Sequence, residues 1–135
     1  DQCTGEFIAL CEGDDYWVSR DKLFRQYEAI VNTGYSAAFH DVQYKRNGAL
    51  FESFIRNFAE VDTRTLGNVG IKELMNLKWV VPTCSFFFRR NFLELPDFFN
   101  ELKFGDFPLF CSVAAKGDFL LLDGIEAVYR MDNPG

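Results

Sequence analysis

Apolar positions along this chain fall into short blocks whose spacing changes from one to the next. Phe7-Ile8-Ala9-Leu10-Cys11 is continuously apolar, which predicts a strand buried on both faces. After a polar stretch, Ser19 or Asp21 can cap a helix running to about Asn32, with Leu23, Tyr27, Ile30 and Val31 on one face. Asn32-Thr33-Gly34 stops it. Residues 35–44 alternate as a strand, with Ala37, Phe39 and Asp41 on one side and Ala38, His40 and Val42 on the other. Lys45-Arg46-Asn47-Gly48 predicts a turn, and residues 49–54 its returning hairpin partner. Residues 56–68 are polar and turn-rich, which predicts a loop or lid.

In the second half, residues 69–77 have helical spacing, weakened by Gly70, and Pro82 ends the Trp79-Val80-Val81 run. Residues 83–88 predict a second buried strand leading into Arg89-Arg90. Residues 92–102 are helical in pattern, interrupted or started at Pro96. Gly105-Asp106 precedes a further helix over residues 108–116, closed by Gly117. Residues 119–122 and 125–130 supply the last strand or strand pair. Strands alternating with helices predict an α/β fold, a mixed sheet flanked by helices, in one domain over residues 1–135.

Composition narrows the function classes. An apolar fraction of 48% and a charged fraction of 25% suit a globular chain, but 16 phenylalanines imply a large aromatic core or a surface that expects a partner. A net charge of −6 argues against a general nucleic-acid phosphate binder. No run is apolar enough to span a bilayer and no signal-peptide pattern appears. Cys3, Cys11, Cys84 and Cys111 lack Cys-x-x-Cys spacing, so buried reduced thiols in a cytoplasmic protein are expected rather than a disulfide or zinc site.

The densest chemistry lies in Glu12-Gly13-Asp14-Asp15, three carboxylates at the end of the first predicted strand. Such crowding is unfavourable unless water, a basic side chain or a hard divalent cation offsets it. An acidic turn capping the next helix is the plain alternative.

Residues 5–17, Gly-Glu-Phe-Ile-Ala-Leu-Cys-Glu-Gly-Asp-Asp-Tyr-Trp, followed by Lys22-Leu23 and Gln26, closely resemble the family 2 glycosyltransferases of the GT-A fold, in the subgroup with a Glu-Gly-Asp-Asp-Tyr-Trp motif. The resemblance implies transfer of a sugar from a nucleotide-diphosphate donor to an acceptor hydroxyl, metal-dependent and inverting, during glycan biosynthesis. The acceptor would be a glycan or lipid-linked, and the reaction cytoplasmic or at the cytoplasmic face of a membrane. It also implies that this chain is the C-terminal, catalytic and acceptor-side part of such a domain, without the nucleotide-binding half that family members carry ahead of the motif. Alone it would then be inactive. The open edge of residues 7–11 would be a template for pairing with another copy.

By the same resemblance, Asp14 contacts magnesium or manganese, Glu12 helps through water or the donor ribose, and Asp15 braces the turn. Tyr16 and Trp17 can stack on a sugar or nucleotide, or simply pack on a helix. Lys103-Phe104-Gly105-Asp106-Phe107-Pro108-Leu109 is similar to the family motif whose aspartate is the catalytic base; Asp106 is equally suited to capping the following helix. Tyr129-Arg130-Met131-Asp132 resembles the family's Tyr-Arg-x-His ending, which implies Arg130 near the diphosphate; Asp132 departs from the histidine that can be a third metal contact, and as a ligand it would add charge to an already acidic site. His40 is expected to be a packed histidine, and Arg89-Arg90 a basic strand end that could touch phosphate or acceptor. Two rivals stay open: a glycoside hydrolase using Asp14 and Asp106 as paired carboxylates, and a non-catalytic divalent-cation or partner-binding module.

Overall fold

The computed structural model describes residues 2–132. Six strands form one mixed sheet: β1 (Phe7–Ala9), β2 (Tyr16–Trp17), β3 (Ala37–Arg46), β4 (Ala49–Phe51), β5 (Phe87–Arg89) and β6 (Phe119–Arg130). Their order is β1-β5-β3-β6-β2, with β4 pairing on β3. β3 and β6 run parallel, and every other pair is antiparallel. Helix α1 (Lys22–Ile30) follows β2; α2 (Phe54–Phe58), α3 (Thr63–Leu66) and α4 (Ile71–Asn76) fill the stretch before β5; α5 (Asp106–Ala114) precedes β6. The expected α/β fold with a mixed sheet flanked by helices is therefore present.

Alternation along the central strands sends side chains to opposite faces. Ala37, Phe39, Phe86 and Phe88 pack with Phe110, Val113, Phe119 and Leu74, so α4 and α5 cover one face. Ala38 and Phe87 pack with Ile30 of α1 on the other. Beyond the irregular register at Asp41, Val42 and Tyr44 join Phe54 in a smaller cluster with Trp17 and Tyr129.

Several expectations need correction. Residues 7–11 are not a strand buried on both faces. β1 is three half-buried residues at a sheet edge, because among the described residues only β5 pairs with it. The buried face of α1 is Lys22, Gln26 and Ile30, while Leu23 and Tyr27 lie outside. Residues 56–68 are not a bare loop. The Asp41 carboxylate accepts from the backbone of Val42 (2.8 Å) and Ile55 (3.0 Å) and from the Ser53 hydroxyl, and so starts α2. The strand over residues 83–88 begins with a 3-10 turn, Thr83–Ser85, and residues 92–102 hold only 3-10 turns around Pro96. The Asn47-Gly48 turn holds as expected: both residues have positive φ (50° and 76°), the two-residue hairpin geometry. Of the cysteines, Cys84 is buried, Cys111 is half-buried and Cys11 is exposed. Among the described residues no helix is long and apolar enough to cross a membrane.

Candidate functional site

The acidic turn occupies a forced crossing. β1 and β2 lie at opposite edges of the sheet, so residues 10–15 must travel between them. Leu10 donates to Phe86 O (3.0 Å), keeping the chain beside β5, and Asp15 N donates to Glu12 O (3.0 Å), closing the turn. At the far side, the Arg130 backbone donates to Asp15 Oδ1 (2.8 Å) and its Nε donates to the Asp14 carbonyl. The last residue of β6 thereby clamps the turn at two points.

Burial separates the three carboxylates. Asp15 points inward, with 9% of its surface exposed. Its Oδ2 is buried with no hydrogen-bond partner of ordinary geometry among the described residues, and the weak thiol donor of Cys84 stands beside the carboxylate. Burial, followed by the charge of Asp14, raises its pKa against the opposing pull of the Arg130 backbone bond. Glu12 lies at the surface, and its pKa is raised by partial burial and then by Asp15, Asp14 and Asp106. Tyr129 behind the turn is pushed up to about 12, by burial first and then by the same acids.

Asp106 is therefore within electrostatic reach of Glu12, although 94 residues separate them in the chain. It is the first residue of α5, half-buried, and its Oδ1 accepts from Phe107 N (2.9 Å). The N-cap is Gly105 and carries no side-chain cap bond, so Asp106 does not cap α5 but stands in its first turn, where a carboxylate is stabilised by the helix dipole. Asp106 also lines a cavity of about 370 Å³ between residues 74–81 and the start of α5. One carboxylate accordingly lines a ligand-sized space and also adds negative charge at Glu12 of the acidic turn.

Other expected site residues divide between surface and scaffold. Tyr16 is 42% exposed and available to a ligand. Trp17 turns inward, its Nε1 donating to Cys84 O (2.9 Å) with the Lys22 ammonium 4.5 Å from its ring centre. Asp132 lies on the β3–β4 hairpin, accepting from Asn47 N (2.5 Å) and Gly48 N (3.2 Å). Arg89 does not present itself to a phosphate: its guanidinium donates to the Ile30, Val31, Thr33 and Tyr35 carbonyls and so closes the C-terminus of α1. Arg90 Nε donates to Gly5 O (2.6 Å).

Lys22 and His40 emerge as a buried pair of bases that periodicity alone does not reveal. Lys22 Nζ donates to Gln26 Oε1 (2.6 Å), and burial brings its pKa down to about 8. His40 Nδ1 lies 2.7 Å from Asp41 O, which can only accept, so the proton sits on Nδ1, and the buried Nε2 has no hydrogen-bond partner among the described residues.

Among the described residues no three His, Cys, Asp or Glu side chains converge as a metal cage. A hard cation held by one or two carboxylates and completed by phosphate oxygens and water needs no such cage. Glu12 and Asp14 fit that donor set: they are oxygen ligands in one turn, and the surrounding negative charge that raises Glu12 is what a cation would offset. No protein-family model matches this chain, and no curated protein matches it either.

Proposed function

We propose that this chain carries the catalytic and acceptor side of an inverting family 2 glycosyltransferase of the GT-A type, moving a sugar from a nucleotide-diphosphate donor to an acceptor hydroxyl. The observation that carries the reading is that Asp106 lines the cavity and also acts electrostatically on Glu12 of the acidic turn. Donor and acceptor sites must meet at a base, and Asp106 is the group these two features share. Magnesium or manganese held by Glu12 and Asp14 would neutralise charge on the departing diphosphate.

The remaining roles belong to the chain. Asp15, fixed by the Arg130 backbone, holds the turn so that Asp14 keeps its direction. The Arg130 side chain is exposed beside the turn and can meet diphosphate oxygens. Tyr16 offers an open ring beside the same turn. Asp106 takes the acceptor hydroxyl proton as that oxygen bonds to the anomeric carbon and the bond to the diphosphate breaks.

In the complete protein, Asp106→Asn should keep nucleotide-sugar binding by calorimetry with manganese present, while turnover falls by about a hundredfold to ten-thousandfold. Asp14→Asn should instead lose the manganese dependence of donor binding. Near-normal transfer by the Asp106 variant would overturn the assignment.

A further inference from the structure

We infer that the cavity beside Asp106 is a binding site for a single-chain anionic amphiphile, with the apolar chain inside and the anionic group at Lys78. Nine of the eleven lining residues are apolar, and only Lys78 and Asp106 bring charged or polar side chains. A sugar ring pushed into that space would leave most of its hydroxyls without side-chain partners, at a cost an apolar chain avoids.

The mouth is furnished for the same ligand. Met75, Trp79 and Phe107 are 67%, 61% and 46% exposed around it. Trp79 also has φ of +55°, a conformation bulky residues rarely adopt, which turns the ring-bearing segment at the rim. Lys78 is exposed, and among the described residues it makes no ion pair, so its ammonium is available to an incoming anion. A flat anionic bilayer suits this rim poorly. Asp106 lines it, and exposed Asp97 and Glu101 lie on the turn that packs Phe99 against Gly105. A monomeric amphiphile can bring its anion to Lys78 and avoid those carboxylates. The binding stands on the apolar lining and Lys78, and goes beyond the transferase reading without depending on it.

Octyl, decyl and dodecyl phosphate, each below its micellar concentration, would be titrated into the full chain without metal or nucleotide. Calorimetry and tryptophan fluorescence would report binding, and near-UV circular dichroism the fold. Affinity should rise about fourfold per added methylene. Lys78→Met should weaken dodecyl phosphate roughly tenfold and remove its advantage over neutral dodecyl maltoside. Phe107→Ser and Met75→Ser should each weaken all three homologues, whereas Phe24→Ser on the exposed side of α1 should change nothing. Four results would overturn the proposal: an affinity independent of chain length, binding of maltose equal to that of dodecyl maltoside, binding only to phosphatidylglycerol vesicles, or ligand uptake accompanied by unfolding. A second copy seated on the cavity, seen as a dimer by light scattering that dodecyl phosphate fails to dissociate, would overturn it as well. Because neither metal nor nucleotide is present, these outcomes are separate from the turnover tests on Asp14 and Asp106.

Discussion

The two faces of the sheet are built from opposite materials. Under α4 and α5 the interior is aromatic: Phe86 touches Phe88, Phe110 and Phe119 with ring centres 4.7–5.2 Å apart. Under α1 the fully buried side chains include Lys22, Gln26 and His40, and Glu126 reaches inward to meet Arg25. The first face gains its stability from area removed from water. The second gains little from burying charge, and gains position instead. Gln26 alone binds Ala38 O (3.1 Å) and Ser85 O (2.8 Å), tying helix, central strand and the turn before β5 together. Lys22 supports Trp17, which is itself bonded to Cys84 beside Asp15. The polar face thus holds the acidic turn, and the aromatic face holds the molecule.

The comparison breaks most visibly at Phe86. It is fully buried, so Phe86→Ala leaves a cavity as well as losing apolar burial, and should cost about 3–5 kcal/mol. Urea unfolding would register this as a lower midpoint with an unchanged slope.

A smaller and pH-dependent effect belongs to the polar face. Burial brings His40 down to about 4 from an ordinary 6.5, with Lys22 lowering it further and Glu126 and Asp41 acting in the other direction. The unfolded chain therefore binds the proton more readily than the folded one between those two values. The stability from keeping His40 neutral is complete above pH 6.5 and is lost as pH falls towards 4. It amounts to about 3 kcal/mol at most. Wild type should lose stability over that window, and His40→Gln should lack this part of the slope. Equal slopes would show that the histidine is solvated or otherwise paired.

This division also explains what could be read from the sequence. The aromatic face was legible, because Phe39, Phe86, Phe88 and Phe119 lie in apolar runs and alternate as strands require. The β3–β4 turn was legible because Asn-Gly has few other uses there. The polar face was not. Helical spacing selects Leu23 and Tyr27 as the buried stripe, whereas Gln26 is held inside by bonds to the Ala38 and Ser85 carbonyls and Lys22 by Gln26 and the Trp17 ring. Asp41 starts α2 through contacts 12 and 14 residues away, which no local pattern encodes. At the candidate site, the acidic turn and Asp106 were visible as residue types, but the place of Asp106 on the cavity and its electrostatic reach to Glu12 are products of topology. Residues 77–81 gave no periodic signal for lining that cavity, since Trp79 departs from regular backbone.

The smallest effects make the sharpest contrast, because they reverse the usual rule along a single helix. Gln26→Leu makes α1 more apolar at a fully buried position, yet it removes the partner of Lys22 and both bonds to the strand and turn carbonyls. Unpaired groups left in a buried place cost about 1–3 kcal/mol. Two residues earlier, Phe24→Ser deletes a large aromatic ring that is 65% exposed and should move stability by no more than about 0.5 kcal/mol. Paired urea titrations of the two variants would decide the matter. If Gln26→Leu proved neutral and Phe24→Ser costly, α1 would bury a face other than the one carrying Lys22 and Gln26, and the polar layer beneath the acidic turn would have no structural role.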